Sequence, residues 1–316
     1  MMTNTLLSRA YAGEVDLETI AAFLNLVEAH DLVEEGSSVA ELREEFNEPS
    51  FDPVNGLRLY TNAQGELVGF AQLYFAADSA DNDGFLWFKV HPAYRTEQIE
   101  PLMFAWAAEP LRQRGREKLR VMAHDKETER QSLIARHGFL PVRYFLRMHR
   151  ALTEPMPAPL FPQGYQLHAG DHDPQAWADL YNDSFADHYN FHPRDAEFVR
   201  HWQRDPDYRS ELNLVAIAPD GTLAAFAWCH IHAERNKRSG RLDGTIGVLG
   251  TRPGHRRLGL GRALLLTGMQ RLRNVGMTNA DLGVDAASPT GANMLYASVG
   301  FKTAYSRVLY SRNLGA

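Results

Sequence analysis

Apolar residues recur along this chain in two rhythms, and the rhythms change in the same order in both halves. Residues 18–30 (ETIAAFLNLVEAH) and 38–46 (SVAELREEF) keep the spacing of three and four that lays an apolar stripe along a helix. Strand-like runs follow, LRLYT (57–61) and LVGFAQLYF (67–75), around the turn NAQGE. The second half offers helices at 174–185 (PQAWADLYNDSF) and 194–202 (RDAEFVRHW). Its hairpin is LNLVAIA (212–218), Pro219-Asp220-Gly221, and TLAAFAWCHI (222–231). Between the halves, residues 153–163 (TEPMPAPLFPQ) hold four prolines and little periodicity, so they read as a linker.

The correspondence extends further. Residues 87–107 lie over 247–267, pairing Pro92 with Pro253 and Arg95 with Arg256. Residues 136–148 match 298–310, with Gly138-Phe139 against Gly300-Phe301. One α/β unit has been duplicated. The expected domains are 1–152, the linker 153–163, and 164–316.

Composition narrows the class without naming it. A length of 316 residues suits two domains with their own cores, and 44% hydrophobic with 23% charged residues is ordinary for a globular protein. A net charge of −6 argues against a nucleic-acid partner. The single Cys229, in the apolar run AAFAWCHI, excludes an intramolecular disulfide and reads as a buried thiol. The N-terminus lacks a basic region followed by an apolar stretch, and no uninterrupted apolar window is long enough to span a bilayer. A cytoplasmic protein with no membrane partner is expected, as a monomer or homodimer.

The most informative segment is GTIGVLGTRPGHRRLGLG (244–261) with the helical pattern RALLLTGMQRLRNVG after it. An apolar strand, Ile246 to Leu249, delivers a basic, glycine-bearing loop to a helix start. Loop and helix-start amides without internal partners, aided by the helix dipole, suit a pyrophosphate. Gly259 and Gly261 let a ligand approach the main chain. No Gly-Lys-Ser/Thr ending and no complete G-x-G-x-x-G is present, so two familiar phosphate loops are excluded. The first half has Arg95-Thr96-Glu97-Gln98-Ile99-Glu100 at this place, with no glycines and two carboxylates. It is expected to bind a pyrophosphate-bearing ligand poorly or not at all.

This Arg-x-x-Gly-x-Gly loop after a strand resembles the acyl-CoA loop of the GNAT acetyltransferases. The tail agrees: that family carries a segment like V-x-x-x-N-x-x-A-x-x-L-Y-x-x-x-G-F, and this sequence supplies Val284, Asp285, Ala292, Leu295, Tyr296, Gly300 and Phe301 in compatible places. Ser288 takes the place of the usual Asn and is expected to cap the helix, with Asn293 inside it. The duplication makes the chain similar to tandem-GNAT enzymes of the mycothiol synthase type. The resemblance implies an α/β fold of two GNAT domains, each a twisted, mixed, mainly antiparallel sheet flanked by helices.

It also implies a reaction. An acetyl group would pass from acetyl-CoA, without a metal, to a small-molecule primary amine by direct attack. Pantetheine would lie between strands near 242–250 and 279–285, touching Leu249, Gly250 and Thr251. The segment Arg256, Arg257, Leu258, Gly259, Leu260, Gly261 and Arg262 would cradle the pyrophosphate, with Arg257 and Arg262 adding charge. A main-chain N–H near Leu249 would face the oxyanion, and Tyr296 would protonate the leaving thiolate or else simply pack on the sheet. Enzymes of the mycothiol synthase type carry a Glu where this chain has Thr245. Asp243, on the same strand face, is the candidate base, or only the end of the turn Gly240-Arg241-Leu242. His188, Tyr189 and His192 are candidates for the acceptor pocket. His230-x-His232 lacks the further ligands of a metal site. A protein or peptide acceptor, an acyl-CoA sensor without turnover, and a purely structural module stay open.

Overall fold

A computed structural model describes residues 6–31, 36–48, 51–74, 83–95, 98–189, 191–205 and 207–315. The first half runs β1 (Leu7–Ala10), α1 (Glu14–Asp31), α2 (Val39–Phe46), α3 (Pro53–Gly56), β2 (Leu57–Thr61), β3 (Leu67–Tyr74), β4 (Asp83–Val90), α4 (Ile99–Gln113), β5 (Lys118–His124), α5 (Thr128–Arg136) and β6 (Leu140–Ala151). The second half repeats it as β7 (Gln166–Ala169), α6 (Pro174–Phe185), α7 (Ala196–Gln203), β8 (Asn213–Ile217), β9 (Leu223–His230), α8 (Ala233–Ser239), β10 (Asp243–Thr251), α9 (Leu260–Asn274), β11 (Asn279–Asp285), α10 (Ala292–Ser298) and β12 (Lys302–Asn313).

Local chemistry sets most of these limits. Asp173 accepts from the Ala176 amide at 2.9 Å ahead of Pro174, and Asp195 from Phe198 at 2.8 Å, so α6 and α7 begin on side-chain caps. Ser38 and Glu41 close a capping box on α2. Each such cap contributes about 1 kcal/mol. The helix α8 has no apolar stripe and was not anticipated. It is anchored by polar bonds instead: Asn236 donates to the Asp243 carbonyl at 2.8 Å and accepts from the Asp243 amide at 3.2 Å. It stops where Gly240 turns left-handed.

Both halves build the same mixed sheet. Strands β1 to β4 pair antiparallel in order, as do β7 to β10. The pairs β4/β5 and β10/β11 are parallel. Across each parallel pair lies a buried helix, α4 or α9, seated on a strand glycine. A methyl group on Gly84 would fall 2.4 Å from Leu111 Cδ2, and one on Gly244 would fall 2.5 Å from Leu272 Cδ2. These equivalent contacts fix helix on sheet at the same place in both copies. Burying each leucine contributes about 1.5–3 kcal/mol.

The compact units depart from the expected segments. One comprises residues 1–143 with 307–316, and the other residues 144–306. Residues Arg307–Asn313 of β12 pair with β5, while Phe145–Ala151 of β6 pair with β11. Each copy's last strand therefore completes the other copy's sheet, and the proline-rich stretch 153–163 lies inside the second unit. Proline composition reports only the local backbone, whereas strand exchange is a non-local pairing that periodicity does not encode. Among the described residues, no helix is long and apolar enough to cross a membrane.

Candidate active site

The second unit opens along β10. Its parallel pairing with β11 covers only Asp243–Thr245 against Asn279–Asp281, after which the strands run on to Thr251 and Asp285 unpaired with each other. On its other edge β10 pairs with β9, but the register slips between Ile246 and Val248. Gly247 is the extra residue, a β-bulge beside the gap. It also supplies the one-residue offset that aligns Pro92 with Pro253.

The loop beyond β10 is shaped by two left-handed residues, Arg257 (φ 65°) and Gly259 (φ 93°), before α9 begins at Leu260. Among the described residues, no amide from Arg257 to Arg262 has a hydrogen-bond partner; the first bonded amide is that of Ala263, 3.0 Å from the Gly259 carbonyl. A row of free amides at a helix N-terminus is an anion site in waiting. Gly261 is not needed for the fold, since an added methyl would meet Leu295 and Thr251 at ordinary distances of 3.6 and 3.8 Å.

The arginines divide by role. Arg256 forks onto the Asp187 carboxylate at 2.6 and 3.1 Å and donates to the Ser184 and Thr251 carbonyls at 3.0 and 3.1 Å, so its side chain braces the loop. That hydrogen-bonded guanidinium holds the Asp187 carboxyl below its ordinary range. Arg262 donates to Ser298 Oγ at 2.8 Å and ties α9 to α10. Arg257 is exposed.

Tyr296 lies in α10, 7% exposed, in the core that holds Leu282 and Val284 and edge-on to Phe301 at 6.1 Å. Burial pushes its phenol up to about 12. Ser288 is not the cap of this helix: Gly291, left-handed at φ 70°, stands at the N-cap, and Ser288 Oγ lies 3.1 Å from Thr290 Oγ1 in the turn before it. The tight Asp285–Thr290 turn delays the helix by three residues, which leaves Asn293 inside it as expected.

Asp243 is occupied. Its carboxylate meets Arg241 Nε at 2.8 Å, Asn279 Nδ2 at 3.1 Å and Arg235 at 3.8 Å, and the side chain is 5% exposed. It therefore fits the turn-ending reading better than that of a free base. Thr245 donates to Asp281 Oδ1 at 2.7 Å, and Asp281 also binds Arg147 at 2.5 Å and Arg235. Burial tends to raise the Asp281 carboxyl, but the two arginines and the Thr245 hydroxyl prevail and hold it low. His230, Thr245, Asp281 and His149 are partners in register, one polar row across four strands. Asp281 escaped sequence reading because it sits inside the apolar run ADLGV (280–284); a single carboxylate within that run was the available signal.

The same sheet face, under α6 and α7, carries an aromatic wall. Trp177 contacts Phe226 at 4.9 Å and Trp202 at 5.4 Å, and Trp202 stacks on Trp228 at 4.3 Å. The series continues through His230 at 5.0 Å to His232 at a further 4.5 Å. Phe185 packs against the site of Gly250 and carries His188 on its ring at 4.5 Å. Burial lowers the His188 imidazole, with Asp187 opposing. Tyr189 and His192 are half-buried in the same loop, and Asn190 between them lies outside the described residues. Among the described residues, no three His, Cys, Asp or Glu side chains gather as metal ligands.

Splayed parallel strands, a bulge and a free-amide loop are the geometry of an acyl-CoA-dependent transferase, and the comparisons agree. The model of the acetyltransferase (GNAT) family matches residues 175–301. The chain belongs to the GNAT family and is an acetyltransferase. It is 33% identical to a mycothiol acetyltransferase of Thermobispora bispora, over 78% of this chain and 80% of the relative. Against the mycothiol acetyltransferase of Thermomonospora curvata it is 31% identical, over 78% and 79%. Among solved structures, a GCN5-related N-acetyltransferase from Sphaerobacter thermophilus shares the fold, with a TM-score of 0.76, 23% identity, and 98% and 96% of the chains covered. A tandem GNAT protein from the clavulanic acid biosynthesis pathway does so at a TM-score of 0.74, 15% identity and 99% of both chains.

Proposed function

We propose that the second unit transfers the acetyl group of acetyl-CoA to a small-molecule primary amine in a ternary complex. The observation that carries this reading is the row of unpartnered amides from Arg257 to Arg262 beside the gap between β10 and β11. The diphosphate binds those amides, with Arg257 adding charge, and pantetheine lies along Leu249, Gly250 and Thr251. The amine attacks the thioester carbonyl, a main-chain N–H near Leu249 steadies the oxyanion, and the C–S bond breaks. Tyr296 gives the leaving thiolate its proton; burial keeps that phenol protonated until then. Holding both reactants in the cleft supplies roughly 7–11 kcal/mol of the barrier reduction.

The acceptor enters over the aromatic wall, near His188, Tyr189 and His192. Similarity to mycothiol acetyltransferases over most of the chain makes a mycothiol-type amine the first acceptor to assay. Thr245, in place of that group's Glu, is the departure that separates this site from theirs.

Titration calorimetry with acetyl-CoA and detection of free CoA with a panel of amines test the reading together. Parent protein should bind one acetyl-CoA per chain and release CoA only with an amine. Gly261→Glu should weaken binding at least about a hundredfold, since a carboxylate then faces the diphosphate and each tenfold is ~1.4 kcal/mol. Unchanged affinity in this variant overturns the proposal. Binding without CoA release from any amine replaces the enzyme with a sensor.

A further inference from the structure

Two shielded nitrogens on the acceptor face of the second unit have no partner among the described residues. Trp228 Nε1 and His230 Nδ1 are both closed to solvent and make no hydrogen bond to any described residue, and their rings lie 5.0 Å apart. Orphaned polar atoms shut away from water are costly unless something pairs with them, so a donor and an acceptor side by side point to a ligand. Their place is specific. His230 is the register partner of Thr245, and a methyl group on Gly247 would fall 2.6 Å from its Cε1 and 2.7 Å from its Nδ1. The imidazole therefore lies over the bulge, at the mouth of the gap.

We propose that His230 Nδ1 takes the proton of the attacking amine, and that Trp228 Nε1–H donates to an oxygen a few bonds from that amine. The inference rests on the reading that the thioester lies in the gap between β10 and β11. As the N–C bond forms and the C–S bond breaks, the nitrogen's surplus proton passes to Nδ1 and on to water, Tyr296 protonates the thiolate, and water returns a proton to the Tyr296 phenolate, so the protons balance. Burial holds the ring neutral, with His232, Arg147 and Arg235 adding to that effect and Asp281 opposing it. A neutral imidazole with its proton on Nε2 has a lone pair to offer, and the oxyanion formed beside it stabilises the imidazolium. The substrate class is an amine with a neighbouring hydroxyl or carbonyl, such as an amino alcohol or amino amide.

The test uses the full chain with acetyl-CoA and two probes, 2-aminoethanol and ethylamine. Parent enzyme should turn over 2-aminoethanol at least about tenfold more efficiently, and Trp228→Phe should erase most of that preference. His230→Phe should bind acetyl-CoA within about twofold of parent and lose about 10²–10⁴ in kcat, the usual contribution of a positioned base. His230→Ala should regain turnover with added imidazole, a readout that a packing role does not move. Equal turnover of the two amines, turnover of neither by a protein that binds acetyl-CoA, or a kcat in His230→Phe within about threefold of parent overturns the inference. Loss of acetyl-CoA binding confined to the His230 variants does so too, since it makes the ring structural. Parent protein that binds no acetyl-CoA overturns the underlying reading instead.

Discussion

The two copies keep the same loop brace and differ in everything a ligand would touch. Arg95 donates to the Val90 carbonyl at 3.2 Å and forks onto Asp31 at 2.7 Å on both arms. Arg256 repeats the arrangement with Thr251 and Asp187. A contact kept where the glycine loop is absent belongs to the fold, so the Arg256 side chain is architecture, and the free amides of its loop are what the proposed site rests on. Strand β4 instead pairs with β3 without a slip, so the first copy has no counterpart of Gly247. By register, Phe88 stands for Leu249 and Lys89 for Gly250. Lys89 reaches Glu28 at 3.8 Å, and Arg130 donates to the Phe88 carbonyl at 3.0 Å while its guanidinium lies 4.1 Å over the Phe88 ring. The first copy has filled its own cleft with side chains. Thr96 and Glu97 of its loop lie outside the described residues; Glu100, expected to repel an anion, is buried in α4.

The largest effect should come from separating the copies at the proline-rich stretch. A fragment of residues 164–316 loses Phe145–Ala151, which pair with β11 over its whole length, and with them Arg147 and Met148. Expressed alone it should lack cooperative thermal unfolding by circular dichroism. A sharp transition would mean that the exchanged strand is dispensable and the copies are independent.

Next in size is the buried charge at the fork of the strands. Asp281→Asn leaves Arg147, Arg235 and Thr245 facing a neutral amide and should cost about 3–5 kcal/mol in denaturant unfolding. The first copy puts Arg120 at the corresponding position, paired with Asp83, which the second copy matches with Asp243. The Asp281 carboxyl is depressed in the folded state, so its contribution is fully present above the unfolded carboxylate range. It disappears as pH falls through the lowered folded value. The difference in stability between parent and Asp281→Asn should therefore shrink below about pH 4.

Much of this was legible in the residues. The duplication, the hairpins, the loop and the tail around Tyr296 each had a period or a motif, and α6 fell on residues 174–185 as read. The exchange of β6 and β12 left no local trace. Nor did the polar row, because His230 and Asp281 are each flanked by apolar residues in their strands and meet only through register. Ser288 was misplaced for a simpler reason: capping preference identifies good caps, but the Asp285–Thr290 turn put the helix start at Gly291 instead.

A catalytic effect without a stability effect is expected at Tyr296. Its counterpart in the first copy, aligned through Gly138 and Gly300, is Ile134, fully buried in the same core position. An aliphatic side chain satisfies the packing there, which leaves the hydroxyl as the feature special to the second copy. Tyr296→Phe should unfold within about 1 kcal/mol of parent, as volume-conserving core changes do. Its kcat should fall about a hundredfold or more. Burial raises this phenol to about 12, so the acid stays protonated through neutral and mildly alkaline pH. The parent should show no loss of kcat from this group below about pH 10, the ordinary tyrosine range.

The smallest expected effect bears most directly on the comparison. Arg130→Ala withdraws the guanidinium from the Phe88 carbonyl and from above its ring, which empties part of the first cleft. If that plug alone kept acyl-CoA out, calorimetry on the variant would rise toward two acetyl-CoA per chain. Stoichiometry should instead stay at one. An open cleft supplies neither the bulge that Gly247 makes beside β9 nor the left-handed glycine and free amides of residues 257–262, and Lys89 still occupies the place of Gly250. A second binding event would show that the strand gap by itself recruits the coenzyme and that the glycine loop only tunes affinity.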